Sequence, residues 1–178
     1  MIKRLLLLPL LYWLGGCASQ YSVSEQQVQQ YLNDKVVKHF QLDSGEMRIE
    51  SGVKSLEVSL GEQPERISVK ATAALIIKTP LFPLSATMVA KFNAKPRYQP
   101  SNHGLYLDDM QVEDVQLTPE KLQTLISPVA REFANQAKVL LQNQPIYVLD
   151  SNQATEAKIA SMTKSIKVEP GQLILLFK

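Results

Sequence analysis

Residues 67–78 read ISVKATAALIIK and residues 84–95 read LSATMVAKFNAK. In the first run Ile67, Val69, Ala71, Ala73, Leu75 and Ile77 alternate with Ser68, Lys70, Thr72 and Lys78. In the second, Leu84, Ala86, Met88, Ala90, Phe92 and Ala94 alternate with Ser85, Thr87, Lys91, Asn93 and Lys95. A period of two is that of a strand with one face buried and the other in water, as in an antiparallel sheet. Pro80 and Pro83 separate the two strands.

The same period extends outward on both sides. Met47 and Ile49 alternate, Ser51-Gly52 interrupt, and Leu56, Val58 and Leu60 resume on the opposite parity, which predicts a bulge or a bend. Gly61–Pro64 reads as a turn, and so does Pro96–Gly104. A fourth strand region holds Leu105, Leu107, Met110, Val112, Val115 and Leu117, with a shift near Asp108-Asp109, so the sheet is expected to bend.

Helices flank these strands. Ser24 with Gln27 three residues on is a capping box, and Val28, Leu32, Val36 and Phe40 follow at helical spacing until Gln41–Gly45. Thr118-Pro119 is expected to start a long helix with the stripe Leu122, Leu125, Ile126, Val129, Phe133, Ala137, Leu140 and Leu141. Pro128 lies inside it and predicts a kink or a break, and Asn143–Pro145 ends it. A short strand Ile146–Leu149, a helix Gln153–Met162 and two strands around Pro170-Gly171 complete the chain. The expected fold class is α+β: a strongly curved antiparallel sheet wrapped around a long C-terminal amphipathic helix, with an N-terminal helix and a small α/β tail.

The first sixteen residues have another purpose. Lys3-Arg4, the apolar stretch Leu5–Leu14 and Gly15-Gly16-Cys17 are the three regions of a secretory signal in order. The apolar stretch is too short to cross a hydrocarbon core of about 30 Å as a helix. Leu14-Gly15-Gly16-Cys17 has the form of a lipobox, in which the thiol of Cys17, the only cysteine, receives a diacylglyceryl group. Residues 1–16 are therefore read as a cleaved signal peptide, 17–23 as lipidated cysteine and tether, and 24–178 as a single domain. Six residues, 18–23, reach about 20 Å when extended, so the domain would sit against its own membrane. Ala18 and Ser19 follow the cysteine without the aspartate of an inner-membrane retention signal, which points to the periplasmic face of the outer membrane.

Composition excludes several classes of function. Lys3 and Arg4 account for the whole formal charge of +2, and beyond them seventeen bases face seventeen acids. A neutral mature chain gives no reason to expect nucleic acid. The residues also give no reason to expect an enzyme, a cofactor or a metal. The only cysteine is committed to lipid, no G-x-S-x-G elbow occurs, and His39 and His103 lack ligand spacing. Asp108, Asp109, Glu113 and Asp114 gather carboxylates, but neighbours in a strand face opposite ways, and they read as solvated turn and edge charges.

One pattern stays open to two readings. Ala71, Ala73, Ala86, Ala90 and Ala94 are small for a sheet face opposite a long helix. Either they let the helix approach closely, or they leave an apolar tunnel.

Four segments together resemble the YceB-like family of bacterial lipoproteins, whose role is uncharacterised: SQYSVSEQQVQQYL, YLDDMQVEDVQLTPEKLQTL, LLQNQPIYVL and IKVEPGQLILLF. The resemblance covers the mature chain and includes the lipobox at Cys17. It implies a fold similar to one half of the tubular lipid-binding (TULIP) proteins, with acyl chains between sheet and helix. Under that implication the contacts for a lipid or other apolar ligand are Val69, Ala71, Ala73, Leu75, Ala86, Met88, Ala90, Phe92, Leu125, Val129 and Phe133. The alternative is an envelope lipoprotein with a filled core, whose surface docks a partner.

Overall fold

The alternating runs become the centre of a six-stranded antiparallel sheet of order β2-β3-β4-β5-β6-β7 in the computed structural model, which describes residues 19–37, 41–44, 49–78 and 81–177. Its strands are β2 Gln41–Ser44, β3 Ile49–Leu60, β4 Ile67–Lys78, β5 Pro83–Gln99, β6 Gly104–Thr118 and β7 Tyr147–Val148. The parity read from the sequence holds: Ile67, Val69, Ala71, Ala73 and Leu75 of β4 and Ala86, Met88, Ala90, Phe92 and Ala94 of β5 are buried. Val69 faces Phe92 and Ala71 faces Ala90 across the ladder.

The expected bends are present. The register of β3 on β4 shifts between Val53 and Ser55, and that of β5 on β6 shifts at Lys91/Phe92 and at Asn93/Lys95. One boundary differs: β5 runs on through Pro96 to Gln99 instead of turning at Pro96. β4 stops opposite Ala94, so beyond that point β5 has an edge on this side, where a missing N–H removes no ladder bond.

Ser24 caps the helix α1, Glu25–Tyr31, in a complete capping box, with the Gln27 amide donating to Ser24 Oγ and the Ser24 amide to Gln27 Oε1. The helix continues as one π-helical stretch, Leu32–Val36, and Val28, Leu32 and Val36 are buried. Phe40 lies outside the described residues, and Gln41–Ser44, expected as the end of this helix, is the edge strand β2.

The long helix α2 is Gln123–Asn143, preceded by a 3-10 turn at Glu120–Leu122. Thr118 is not its cap, because pairing with Thr87 keeps it in β6. No break occurs at Pro128, which stands in the second turn, where the ring deprives only the Thr124 carbonyl of its partner. Nor is α2 C-terminal: β7, the helix α3 (Ala154–Met162) and the strands β8 (Ser165–Glu169) and β9 (Gln172–Leu176) follow it, so the C-terminal part is rich in strand.

β8 and β9 form a second sheet with β1, Gln20–Ser24, in the order β1-β9-β8. Residues 20–23, expected as tether, are thus part of the fold. Val23 is wholly buried and pairs with Leu173. The two sheets meet at their turns. Gly61 lies so close to Pro170 that a Cβ would come within 2.8 Å of its backbone, the Gly171 amide donates to the Leu60 carbonyl, and the Leu60 amide donates to Glu25 Oε2.

The large sheet is curled. α2 packs on β5 and β6 and also touches β2, four strands from β6. A helix lying across a flat sheet from β6 to β2 would pass over β3 and β4 just as closely, yet the backbone of α2 comes near the two ends of the row and not near its middle, as a curled sheet requires.

Candidate functional site

The expected ligand wall is brought together, and it is closed. Val69, Ala71, Ala73, Leu75, Ala86, Met88, Ala90, Phe92 and Phe133 each expose 6% of their surface or less. Side chains with so little surface left to water leave no room between them for the wider cross-section of an acyl chain. Val129 is half-buried against the same core, and the side chain of Leu125 lies outside the described ones. Val69 and Phe92 border a groove of about 310 Å³, but Glu57, Ser59, Lys70, Lys91 and Glu113 place it on the polar face of the sheet.

The alanines explain the closure. Residues of α2 buried against the sheet are Ile126, Ala130, Phe133, Ala134, Ala137 and Leu141, with Leu122 just before them, while Leu140 and Val139 are exposed. The helix is rotated from the stripe expected for it, turning Ala130 and Ala134, both wholly buried, toward a sheet that itself carries alanines. Small side chains on both surfaces let the backbones approach. Along this interface the core divides into two clusters. Ala71, Ala90 and Ala134 belong to one, and Ala73, Met88 and Ala130 to the other, with Val115 packed against both.

Where the two clusters meet, a half-open groove of about 470 Å³ runs between α2 and β6. Val112, Val115 and Ala130 contribute to it, with Gln123, Ser127, Arg131 and Asn135 at every fourth position of α2 and Glu113 and Asp114 on β6. Gln123 accepts a hydrogen bond from the Leu117 amide and donates to the Val115 carbonyl, which ties the helix to the strand. Its polar walls suit water and headgroups better than hydrocarbon.

Three of the four clustered acids, Asp108, Asp109 and Glu113, are held by side chains from outside β6. Asn93, buried at the bulge of β5, accepts from Arg66 Nε at 2.7 Å and donates to Glu113 Oε1 at 2.5 Å. Gln63 also donates to Glu113, and Arg66 and Lys95 approach Asp109 at 3.4 and 3.5 Å. The Asn93 hydrogen bond, followed by that of Gln63, holds the Glu113 carboxyl below its ordinary range. The Arg66 hydrogen bond does the same for Asp109, and Asp108 pairs with Arg97. The residues that complete this network, Arg66 and Asn93, escape a reading based on clustered carboxylates, because a register shift brings them together. Among the described residues no group of three His, Cys, Asp or Glu could hold a metal. His103 sits in the β5–β6 turn, whereas His39 and Cys17 lie outside the described residues.

Comparison with known proteins gives this fold its relatives. A family described as a protein of unknown function, DUF1439, matches residues 23–172. The chain is 28% identical over 171 residues to the uncharacterized lipoprotein YceB of Salmonella typhimurium, covering 92% of this chain and 91% of that protein. It is 30% identical over 175 residues to the uncharacterized lipoprotein YceB of Escherichia coli K12, with the same coverage. Among solved structures, the crystal structure of a lipopolysaccharide-binding protein overlays 88% of this chain with a TM-score of 0.36 and 10% identity. The chain spans about two-fifths of that protein's length, 39%, and at this TM-score the overlay assigns no fold. By the extent of the family match and the identity to its lipoprotein relatives, the chain belongs to the DUF1439 family.

Proposed function

We propose that the chain is a lipid-anchored domain of the bacterial envelope, held at the periplasmic face of the outer membrane through acylated Cys17, and that it works as a docking module with a closed apolar interior. The anchor is supported by the lipobox Leu14–Cys17 and by relatives that are named lipoproteins. Placement in the outer membrane rests on Ala18-Ser19, which lack a retention aspartate. With β1 beginning at Gln20, only about 10 Å of chain separates Cys17 from the first strand, so the domain is pressed close to its bilayer.

One observation carries the closed interior: nine of the eleven expected wall residues are buried by their own neighbours. Two measurements test the proposal. Metabolic labelling with a clickable palmitate analogue, followed by membrane fractionation, is expected to mark the chain in outer membranes and to fail for Cys17→Ser. Native mass spectrometry of the chain begun at Ser19 and purified without detergent is expected to give the bare mass. An acyl adduct there overturns the closed interior.

A second reading, uptake of a lipid or other apolar ligand between α2 and the sheet, is favoured by the division of the core at its alanine band. Parting the helix from the sheet there separates small side chains, whose lost contact area is modest. The eleven residues from Val69 to Phe133 would then line the opened slot. The resemblance to half of a tubular lipid-binding protein supports it.

A further inference from the structure

β6 is paired on one side only for most of its length. β7 meets it just at Gly104 and Leu105, so from Leu107 onward no strand lies on its outer side. Near the end of β6 the side chain of Gln123, from α2, stands in for one. Its amide donates to the Val115 carbonyl and accepts from the Leu117 amide, as a neighbouring strand would. The N–H and C=O of a strand residue point to the same side, so the Val115 amide also faces outward. Among the described residues it has no acceptor there. At the opposite edge of the sheet Gln29 bonds in the same manner to Leu56 and Val58 of β3, and Glu25 takes the Leu60 amide. That edge is covered by α1 and β2, whereas the β6 edge keeps an uncovered stretch.

The half-open groove of about 470 Å³ borders this stretch. Val112 and Val115 lie on its β6 side, and Ser127, Arg131 and Asn135 follow Gln123 along its α2 side. From Gln123 to Asn135 the helix rises about 18 Å, the length of about five extended residues. Arg131 is exposed and makes no hydrogen bond or ion pair among the described residues. On the β6 rim stand Glu113, whose carboxylate is taken by Asn93 and Gln63, and Asp114, which accepts from Gln116.

We propose that this groove takes an extended peptide segment of a partner protein as an added strand on β6, with a carboxylate side chain turned to Arg131. This deepens the docking reading above and rests on it, by stating the chemistry of what docks. Main-chain groups left open on β6 supply the attraction, and side chains that alternate between the two faces supply the choice. Those turned to α2 meet Ser127, Arg131 and Asn135, where an acid is matched by the unpaired guanidinium. Those turned the other way pass the rim of Glu113 and Asp114, where a base is matched. The fitting segment therefore carries acids and bases in alternation.

Two acetylated, amidated octapeptides serve as probes, one alternating glutamate with lysine and the other with all its glutamates before its lysines. Only the first holds its acids on a single face of an added strand. The isotopically labelled chain begun at Ser19 keeps every strand and helix described. In it the alternating peptide, at millimolar concentration, is expected to slow hydrogen exchange of the Val115 amide about tenfold or more. Arg131→Gln is expected to weaken this binding about fivefold with an unchanged melting temperature, and acetate in place of peptide to leave the amide as it was. An unaffected Val115 amide, equal binding of the two octapeptides, or equal binding by Arg131→Gln overturns the proposal. Slowing by acetate alone assigns the groove to a free carboxylate and overturns it as well. A chain that binds no peptide, yet is labelled at Cys17 and gives the bare mass, loses this site and keeps the docking reading. An acyl adduct removes that reading whatever the peptides do.

Discussion

Ala90→Leu decides between a filled and a hollow interior, because the sign of its effect differs in the two cases. Ala90 is wholly buried at the centre of the sheet, opposite Ala71 on one side and Val115 on the other, under the alanine face of α2. Leucine adds three carbon atoms to that place. If the alanines serve close approach, the extra atoms must push the helix or distort rotamers, a cost of about 1–3 kcal/mol. For a domain of this size that lowers the melting temperature by about 3–10 °C. If the space were empty, the same three carbons would gain about 2 kcal/mol from burial and raise it. Thermal melts and urea titrations of the wild type and Ala90→Leu measure this, with Lys91→Leu on the exposed face as a control expected to stay within about 0.5 kcal/mol. A variant at least as stable as wild type, with an unchanged urea slope, refutes the closed core.

Other outcomes follow from the polar and turn contacts. Glu113 titrates below its ordinary 4.5 in the fold, so its stabilisation is complete above that value and disappears as the pH falls through the depressed one; Glu113→Gln is expected to show a shallower acid limb in melting temperature against pH, and superimposable curves would contradict this. Tyr147 is raised from 10.0 to about 12, first by burial and then by Glu156 and Tyr21, so its contribution is complete below pH 10 and is lost on the way to 12. Tyr147→Phe is expected to unfold less steeply in that window, read by circular dichroism. Gly61→Ala meets both a left-handed φ of +79° and the Pro170 backbone at 2.8 Å, whereas Gly171→Ala meets a φ of +75° with open space around it. Both are expected to lose about 1–2 kcal/mol to the backbone, and Gly61→Ala measurably more in a denaturant titration.

Local chemistry is what a sequence displays best, and the elements set by it are those read correctly. The Ser24–Gln27 box needs only four neighbouring residues, and the parity of β4 and β5 needs only the pleat. β1 was hidden because its five residues have their partners in β9, more than a hundred residues away. The face that α2 presents was hidden for a different reason. By hydrophobicity Val129 and Leu140 outrank Ala130 and Ala134, but a curled sheet that grips the helix selects small side chains for the contact. Inward direction at the expected wall was therefore legible, and whether the wall encloses space was not, because that depends on the distance between two elements. Asn93 shows the limit of parity itself: the alternation puts it in water, and the bulge buries it beside Phe92 and Ala94.

The pairing of β1 with β9 also orders events during biogenesis. A polypeptide made from its amino terminus delivers Gln20–Ser24 first and Gln172–Leu176 some hundred and fifty residues later, yet each strand completes the other's ladder. Until then β1 is an open template, exposed to any extended segment nearby. The smaller sheet is the final part to assemble, and a ribosome that stalls before residue 172 leaves a product that cannot close.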